Sequence, residues 1–190
     1  MSGIAEIHTD ATLQPGKLEL LAAWLPGQSW FEGTAGDLAR VASFRFVDPD
    51  GEVGIETMLV KSGELTYQVP LTYRSEPLDE ADSFLVGTLE HSVLGKRWVY
   101  DAVGDPVYAA ELFRVIHEGD TEADLSAGEK SMTAAGSGIV RVSNAASEAA
   151  RIIRVLDGGH VPGGRTPLGT LTGSWTDGGA AHEEILAIVR

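Results

Sequence analysis

Residues 64–74 alternate apolar and other side chains without a break, and this period of two constrains the fold more than any other feature. The apolar set is Leu65, Tyr67, Val69, Leu71 and Tyr73, and the alternate set is Glu64, Thr66, Gln68, Pro70, Thr72 and Arg74. Because successive side chains of a strand point to opposite faces, the pattern predicts an antiparallel strand with one buried and one wet face. Pro70 has no N–H to donate, so it must lie at an edge, at a bulge or with its missing donor pointing outward.

The segments around this strand predict an antiparallel sheet between two helices. Phe44 and Phe46 flank Arg45 with the same period of two, and the turn Pro49-Asp50-Gly51 leads into a second strand over residues 53–61. Further strand candidates are residues 85–89 and 97–102, and the helix candidates are residues 17–25 and 106–118.

Both helix candidates carry recognisable end signals. The first has leucines at helical spacing over residues 17–25 and ends at Pro26-Gly27. The second begins with Asp105 as its capping carboxylate and Pro106 at the first helical position, and Gly119 ends it. The local chemistry therefore agrees with the periodicity in both places.

The chain divides into three predicted parts. We expect residues 1–118 to form an α+β domain in the order helix, four or five antiparallel strands, helix. Residues 119–138 are rich in Gly, Ala, Ser and acids with little periodicity, which predicts a flexible linker. Residues 139–190 predict a small β-rich C-terminal part that packs on the first domain, because a unit of that size buries little core alone. Its strand candidates are residues 139–142, 151–156, 168–172 and 185–189.

Charge and composition narrow the partners and the compartment. The 190-residue chain has no cysteine, which excludes disulfides and thiolate sites, and its net charge of −14 repels nucleic acid and anionic membranes. No apolar run approaches the roughly 18–20 residues that span a bilayer, and the first residues lack the basic flank and apolar stretch of an export signal. We therefore expect a cytoplasmic protein that binds neither nucleic acid nor membrane.

No motif for catalysis or metal binding is complete. Gly159, Gly164, Arg165 and Thr166 have the spacing of a phosphate-binding loop, but arginine replaces the lysine and a β-like segment follows where a helix is needed. The five histidines share no ligand spacing, and Gly136-Ser137-Gly138 lacks the spacing of a nucleophile elbow. A carboxylate pair across a cleft, as a glycosidase requires, cannot be recognised without a structure. The sequence therefore predicts no catalytic residue, metal site or cofactor.

The aromatic residues leave two interpretations open. The four tryptophans are Trp24, Trp30, Trp98 and Trp175. Core packing is the commoner role of tryptophan, whereas exposed rings can stack on sugars. The adjacent Trp30 and Phe31 follow the first helix directly and are the stronger candidates for a binding surface, while Arg97 and Asp101 can pair with charges elsewhere. The candidate binding residues are therefore Trp24, Trp30, Phe31, Arg97 and Asp101.

Three motifs together resemble the N-terminal cap region of bacterial maltokinases. They are Trp24-Leu25-Pro26-Gly27-Gln28-Ser29-Trp30-Phe31-Glu32-Gly33, Tyr67-Gln68-Val69-Pro70-Leu71-Thr72-Tyr73-Arg74 and Trp98-Val99-Tyr100-Asp101-Ala102-Val103-Gly104-Asp105-Pro106. The resemblance spans residues of about 15 to 118. It implies a cystatin-like fold, in which a curved antiparallel sheet packs on two or more helices.

The resemblance also implies a function, and this sequence differs from the maltokinases in a way that changes that function. Maltokinases phosphorylate maltose on the way from trehalose to α-glucan, and they continue into an intermediate β region and a helical lobe with the catalytic, metal-binding and sugar-binding residues. This sequence ends at Arg190, with Arg154 near the position where a phosphate-binding lysine is expected. Since phosphoryl transfer needs both an acceptor site and a magnesium site, we expect a non-catalytic module that docks on a protein of trehalose or α-glucan metabolism. The alternative is an α-glucan-binding module that uses Trp30 and Phe31.

Overall fold

The computed structural model describes residues 3–139, 150–158 and 166–190. The strands are β1 (Ile4–Ala5), β2 (Leu13–Gln14), β3 (Ala39–Val47), β4 (Gly54–Ser62), β5 (Leu65–Arg74), β6 (Leu85–His91), β7 (Gly95–Asp101), β8 (Asp124–Leu125), β9 (Met132–Gly136), β10 (Ala150–Ile152), β11 (Val155–Leu156), β12 (Gly169–Asp177) and β13 (Ala180–Val189). The helices are α1 (Lys17–Trp24) and α2 (Pro106–Glu118), and short 3-10 turns lie at Leu25–Gly27, Ala35–Asp37, Asp82–Phe84 and Ala102–Gly104. The predicted α+β class with an antiparallel sheet is confirmed.

Two antiparallel sheets contain most of these strands. The first, which we call the cap sheet, has the order β2-β6-β7-β5-β4-β3, with β11 paired to β5. The second, which we call the C-terminal sheet, has the order β10-β13-β12-β9, while β1 and β8 form a separate parallel pair. The predicted hairpin is β3–β4, and its turn is held by the Asp48 carboxylate, which accepts the N–H groups of Asp50, Glu52 and Val53.

Helix α1 covers one face of the cap sheet. Leu21 and Leu25 belong to a buried cluster with Val60, Val69 and Leu89 on three strands. Val69 belongs to the apolar set that the period of two assigned to the core, and all five side chains are at most 2% exposed. One face of the sheet thus packs as the sequence pattern predicts.

The opposite face of the cap sheet is covered as well, by α2 and the C-terminal sheet. Leu59 on β4 shares a buried cluster with Leu112 on α2 and with Leu186 on β13. Gln68 on β5 is fully buried, and its Nε2 donates to the carbonyls of Ile153 at 2.8 Å and Leu186 at 2.7 Å. The prediction that the alternate face of residues 64–74 is wet is therefore wrong, because elements later in the chain cover it.

Pro70 lies between the ends of two strands, β7 and β11, that pair with the same edge of β5. On one edge of β5, β7 pairs up to Leu71 and β11 pairs at Tyr67. The N–H of Gln68 donates to the Arg154 carbonyl at this edge, so the nitrogen of Pro70, two residues on, faces the same edge. The missing donor of the proline therefore points into the gap between β7 and β11, which agrees with its predicted placement.

Helix α2 begins and ends as its sequence signals predict. The Asp105 side chain accepts the N–H of Val107 at 3.0 Å, and Gly119 ends the helix in the left-handed conformation with φ +67°. The same Asp105 carboxylate receives a two-pronged ion pair from Arg74, with both distances 2.7 Å. One carboxylate therefore caps α2 and ties it to β5.

Residues 119–138, for which composition predicts a flexible linker, contain strands β8 and β9. Met132 and Ala134 on β9 are buried, and β9 pairs with β12. A Cβ atom on Gly136 would lie 2.0 Å from the Val115 carbonyl oxygen, so only glycine allows β9 to approach α2 this closely. The small residues thus serve close packing, and the proposed division into domains stays a prediction.

The other strand candidates of the C-terminal part have mixed outcomes. Residues 151–156 divide between β10 and β11, which belong to different sheets. The candidate 168–172 overlaps the longer β12 from Gly169 onward, and 185–189 lies within the longer β13. Of the candidate at 139–142, only Ile139 is among the described residues. The loop residues Gly159, Gly164 and Arg165 also lie outside them.

We predict that Gln68→Ala lowers the free energy of unfolding by about 2–3 kcal/mol, because two buried carbonyls lose their donor. Urea denaturation of the wild type and the variant measures this difference. Gln14→Ala, at an exposed residue of β2, is the matched control and should change stability by less than about 0.5 kcal/mol. An equally small effect at Gln68 would contradict the burial of this face.

Candidate functional site

The candidate aromatic residues form a cluster at the end of α1. Trp24 and Trp30 meet edge to face with ring centroids 5.9 Å apart, and Phe31 lies 4.9 Å from the ring of buried Tyr67. Trp30 itself lies 6.2 Å from Tyr67. All three candidate side chains are half-buried and pack against the α1 side of the cap sheet. They therefore close the rim of this core and keep part of their surface in water.

Arg154 brings the C-terminal part to this aromatic cluster. Its guanidinium carbon lies 4.6 Å from the centre of the Trp30 ring, in cation–π geometry. The same side chain donates from Nη2 to Oδ2 of Asp101 at 2.5 Å, and both partners are well buried. Burial raises the pKa of the Asp101 carboxyl, and the adjacent Arg154 charge opposes that increase. Asp101 thus pairs with a charge from elsewhere in the chain, as its sequence context suggested.

Arg97 does not join the aromatic cluster. It lines a separate cleft near His91 and Lys17, and its guanidinium donates to the carbonyl of its neighbour Lys96 at 2.9 Å. The five candidate residues are therefore divided between two places, with Trp24, Trp30, Phe31 and Asp101 on one side and Arg97 on the other.

The two remaining tryptophans have structural surroundings. Trp175 is 7% exposed within the core shared by the cap sheet and the C-terminal sheet, and its ring stacks on His182 at 5.3 Å. Trp98 lies beneath the ammonium group of Lys96, which is 4.6 Å from the ring centre. Neither ring adds to the aromatic cluster around Trp30.

Buried carboxylates are common but each has a partner. Glu56 is held by Lys17 on the α1 side, and Glu111 and Glu122 bind Arg114 and Lys130. No group of three or more histidine or carboxylate side chains with metal-binding geometry occurs within 3–139, 150–158 and 166–190. In the same ranges, no helix is long and apolar enough to cross a membrane.

An exposed apolar patch, which sequence reasoning missed, lies beside the start of α2. Phe84 and Leu85 are each 36% exposed and Val103 is 40% exposed. The Asp82–Phe84 and Ala102–Gly104 turns are in contact, and a Cβ atom on Gly104 would come within 2.2 Å of the Phe84 ring. Adjoining exposed apolar residues can mark an interaction site, whereas single exposed apolar residues are ordinary. The dipeptide Phe84-Leu85 was its one sequence signal.

We predict that Arg154→Ala lowers the free energy of unfolding by about 3 kcal/mol, because it leaves the buried Asp101 carboxylate without its cation. The double variant Arg154→Ala with Asp101→Ala should lose less unfolding free energy than the sum of the two single losses, by at least about 1 kcal/mol. Urea unfolding of the four proteins in this cycle gives both numbers.

The control for this cycle is the half-exposed pair Lys61–Asp177, at 3.3 Å. Lys61→Ala should cost less than about 0.5 kcal/mol, since exposed ion pairs contribute little. Additive losses at Arg154 and Asp101 would show that the two side chains do not stabilise one another.

Comparison with known proteins identifies a family resemblance in the region that holds β3 to β7 of the cap sheet. No curated protein matches the chain. Residues 24–105, however, match the family model of the maltokinase N-terminal cap domain. The match begins at Trp24 of the aromatic cluster and ends at Asp105, the cap of α2. The resemblance of this chain to the maltokinase N-terminal cap is thereby confirmed over residues 24–105.

Proposed function

We propose that this chain is a cytoplasmic, non-catalytic binding module that docks on a protein of trehalose or α-glucan metabolism. The observation that carries the proposal is the match of residues 24–105 to the maltokinase N-terminal cap domain. A domain of that kind links the chain to the conversion of trehalose-derived maltose, and the expected partner is an enzyme of the same metabolism.

The buried carboxylates are already bound to cations or backbone N–H groups, which supports a binding role for the chain. A general acid or base needs a carboxyl group free to exchange a proton with a substrate. Here Asp105 caps α2 while it binds Arg74, and Glu56 and Asp101 are each paired with a cation. These buried carboxylates therefore stabilise the fold, which favours recognition at the surface over chemistry in the core.

The apolar patch of Phe84, Leu85 and Val103 supports a docking surface within the matched region. All three residues lie inside 24–105, so the patch belongs to the part of the chain that matches the cap. Burying apolar side chains against a partner is the main driving force of association. We assign this patch to the centre of the contact, with the exposed acids Asp79, Glu80 and Asp82 just before Phe84 setting the orientation of the partner.

The α-glucan alternative relied on exposed aromatic faces. Arg154 lies over the ring of Trp30, and Tyr67 lies against Phe31. A sugar that stacked on the same face of Trp30 would have to displace the Arg154 guanidinium from the ring. The arrangement therefore favours the docking proposal, and a sugar titration separates the two hypotheses.

We predict that the purified chain co-migrates on size exclusion with one of trehalose synthase, maltosyltransferase or branching enzyme. Val103→Asp should weaken that complex at least tenfold, because it places a charge in the apolar patch. Leu168→Asp, at a residue 46% exposed in the C-terminal part, is the matched control and should leave the complex intact. Binding is quantified by biolayer interferometry, with thermal melts to show that both variants are folded.

Three results would count against the proposal. Failure to bind any of the three enzymes would remove the expected partners. Turnover of ATP or of a glucan by the purified chain would show that it is an enzyme. Saturable quenching of tryptophan fluorescence by maltooligosaccharides, lost in Trp30→Ala, would favour the α-glucan alternative.

A further inference from the structure

A cleft of about 540 Å³ lies between the N-terminal segment and the rim of the cap sheet, away from the apolar patch. Residues 4–8 and Ala11 form one wall, and side chains from α1 and from strands β3 to β7 line the rest, with Lys17 at the floor. Its volume falls in the range of about 300–1,000 Å³ that is usual for small-molecule sites.

The deepest charges in the cleft surround a single carboxylate. Glu56 is 2% exposed, and its Oε2 accepts from Lys17 at 2.5 Å and from the Tyr73 hydroxyl at 2.9 Å. Arg45 lies 3.4 Å from the same oxygen. Although burial alone would raise it, the pKa of Glu56 is lowered to about 2 by these cations and hydrogen bonds. The carboxylate is therefore ionised, and it binds both cations.

The other end of the cleft adds positive charge. Arg97 lines it and forms no ion pair with any carboxylate of the described residues. Beside it, the rings of His8 and His91 meet edge to face at 5.5 Å. Burial lowers the pKa of His91, and the positive charges of His8, Arg97 and Lys17 lower it further. The His91 ring therefore lies close to the cations Arg97 and Lys17.

His91 lines the cleft, and one of its ring nitrogens is already an acceptor. Its Nδ1 accepts the backbone N–H groups of Val93 at 3.2 Å and Leu94 at 3.1 Å. In the neutral imidazole the proton must then reside on Nε2, which becomes a donor. Arg97 and His91 thus supply two kinds of donor that suit an oxyanion, and Lys17 supplies a third at the floor.

Three carboxylates, those of Glu6, Asp48 and Glu52, also line the cleft. The Asp48 carboxylate is occupied by the three backbone N–H groups of the β3–β4 turn. Glu6 and Glu52 line the cleft as well but are exposed to water, which screens their charges. Apolar side chains, among them Ile7, Leu13 and Leu89, form much of the remaining wall.

We propose that this cleft binds a small organic oxyanion, with its phosphate or carboxylate held by Arg97, His91 and Lys17 and its apolar body against the leucine and isoleucine walls. The site is independent of partner docking, since it shares no residue with the apolar patch. Phosphate monoesters and carboxylates have the required chemistry in common, so one probe of each class tests which is preferred.

Isothermal titration of the whole chain with phenyl phosphate, benzoate, inorganic phosphate and benzyl alcohol tests the proposal. We expect saturable binding of phenyl phosphate or benzoate with a Kd below a few millimolar, and no binding of uncharged benzyl alcohol. The tighter of the two organic anions identifies the head group. Inorganic phosphate should bind at least tenfold more weakly than phenyl phosphate, because it has no apolar body to bury.

Arg97→Gln should weaken the preferred anion at least tenfold, because it removes the unpaired cation without disturbing the Glu56 cluster. Arg151→Gln, at an exposed arginine on β10, is the matched control and should leave the affinity unchanged. Thermal melts establish that both variants are folded. The proposal would be overturned if the wild type showed no saturable binding of either organic anion up to about 10 mM. Equal loss of affinity in both variants, or equal binding of benzyl alcohol, would also overturn it.

Discussion

The contact of Arg154 with Asp101 and Trp30 joins the two halves of this molecule. Strands β7 and β11 share one edge of β5, and Arg154 precedes β11 at the point where β7 ends in Asp101. A guanidinium can satisfy a carboxylate with its edge while its flat face covers an aromatic ring. One side chain from the C-terminal part therefore closes the gap in the cap sheet and completes the rim of its aromatic cluster.

A second contact, made by Gln68, explains why residues 67–72 of β5 have no wet face. The Gln68 side chain reaches the carbonyls of Ile153 and Leu186, so a polar position on β5 is satisfied by the C-terminal part and not by water. A buried amide without those acceptors would destabilise the fold. The cap and the C-terminal part consequently share one core, in which α2 lies against strands of both sheets.

Local features were predictable because their signals are local. Asp105 with Pro106, the turn before Glu52 and the leucines of α1 each act within a few residues, and each is found where expected. The second buried face was not predictable, since Gln68 reads as a wet position until a partner from 118 residues later is known. Likewise, the composition around Gly136 predicts a linker, although the lack of a side chain at Gly136 allows β9 to approach α2 closely. Among the candidate binding residues, Asp101 and the three aromatic residues lie at one site. Arg97 lies in a separate cleft, whose other charged residues are far from it in sequence.

If the cap and the C-terminal part share one core, they must unfold together. Native-state hydrogen exchange in rising urea measures this, with amides of β4 and β5 reporting on the cap sheet and amides of β12 and β13 on the C-terminal sheet. We predict that the slowest amides of all four strands give the same free energy of opening and the same dependence on urea. Exchange of β12 and β13 at a clearly lower free energy, while β4 and β5 stay protected, would contradict a shared core.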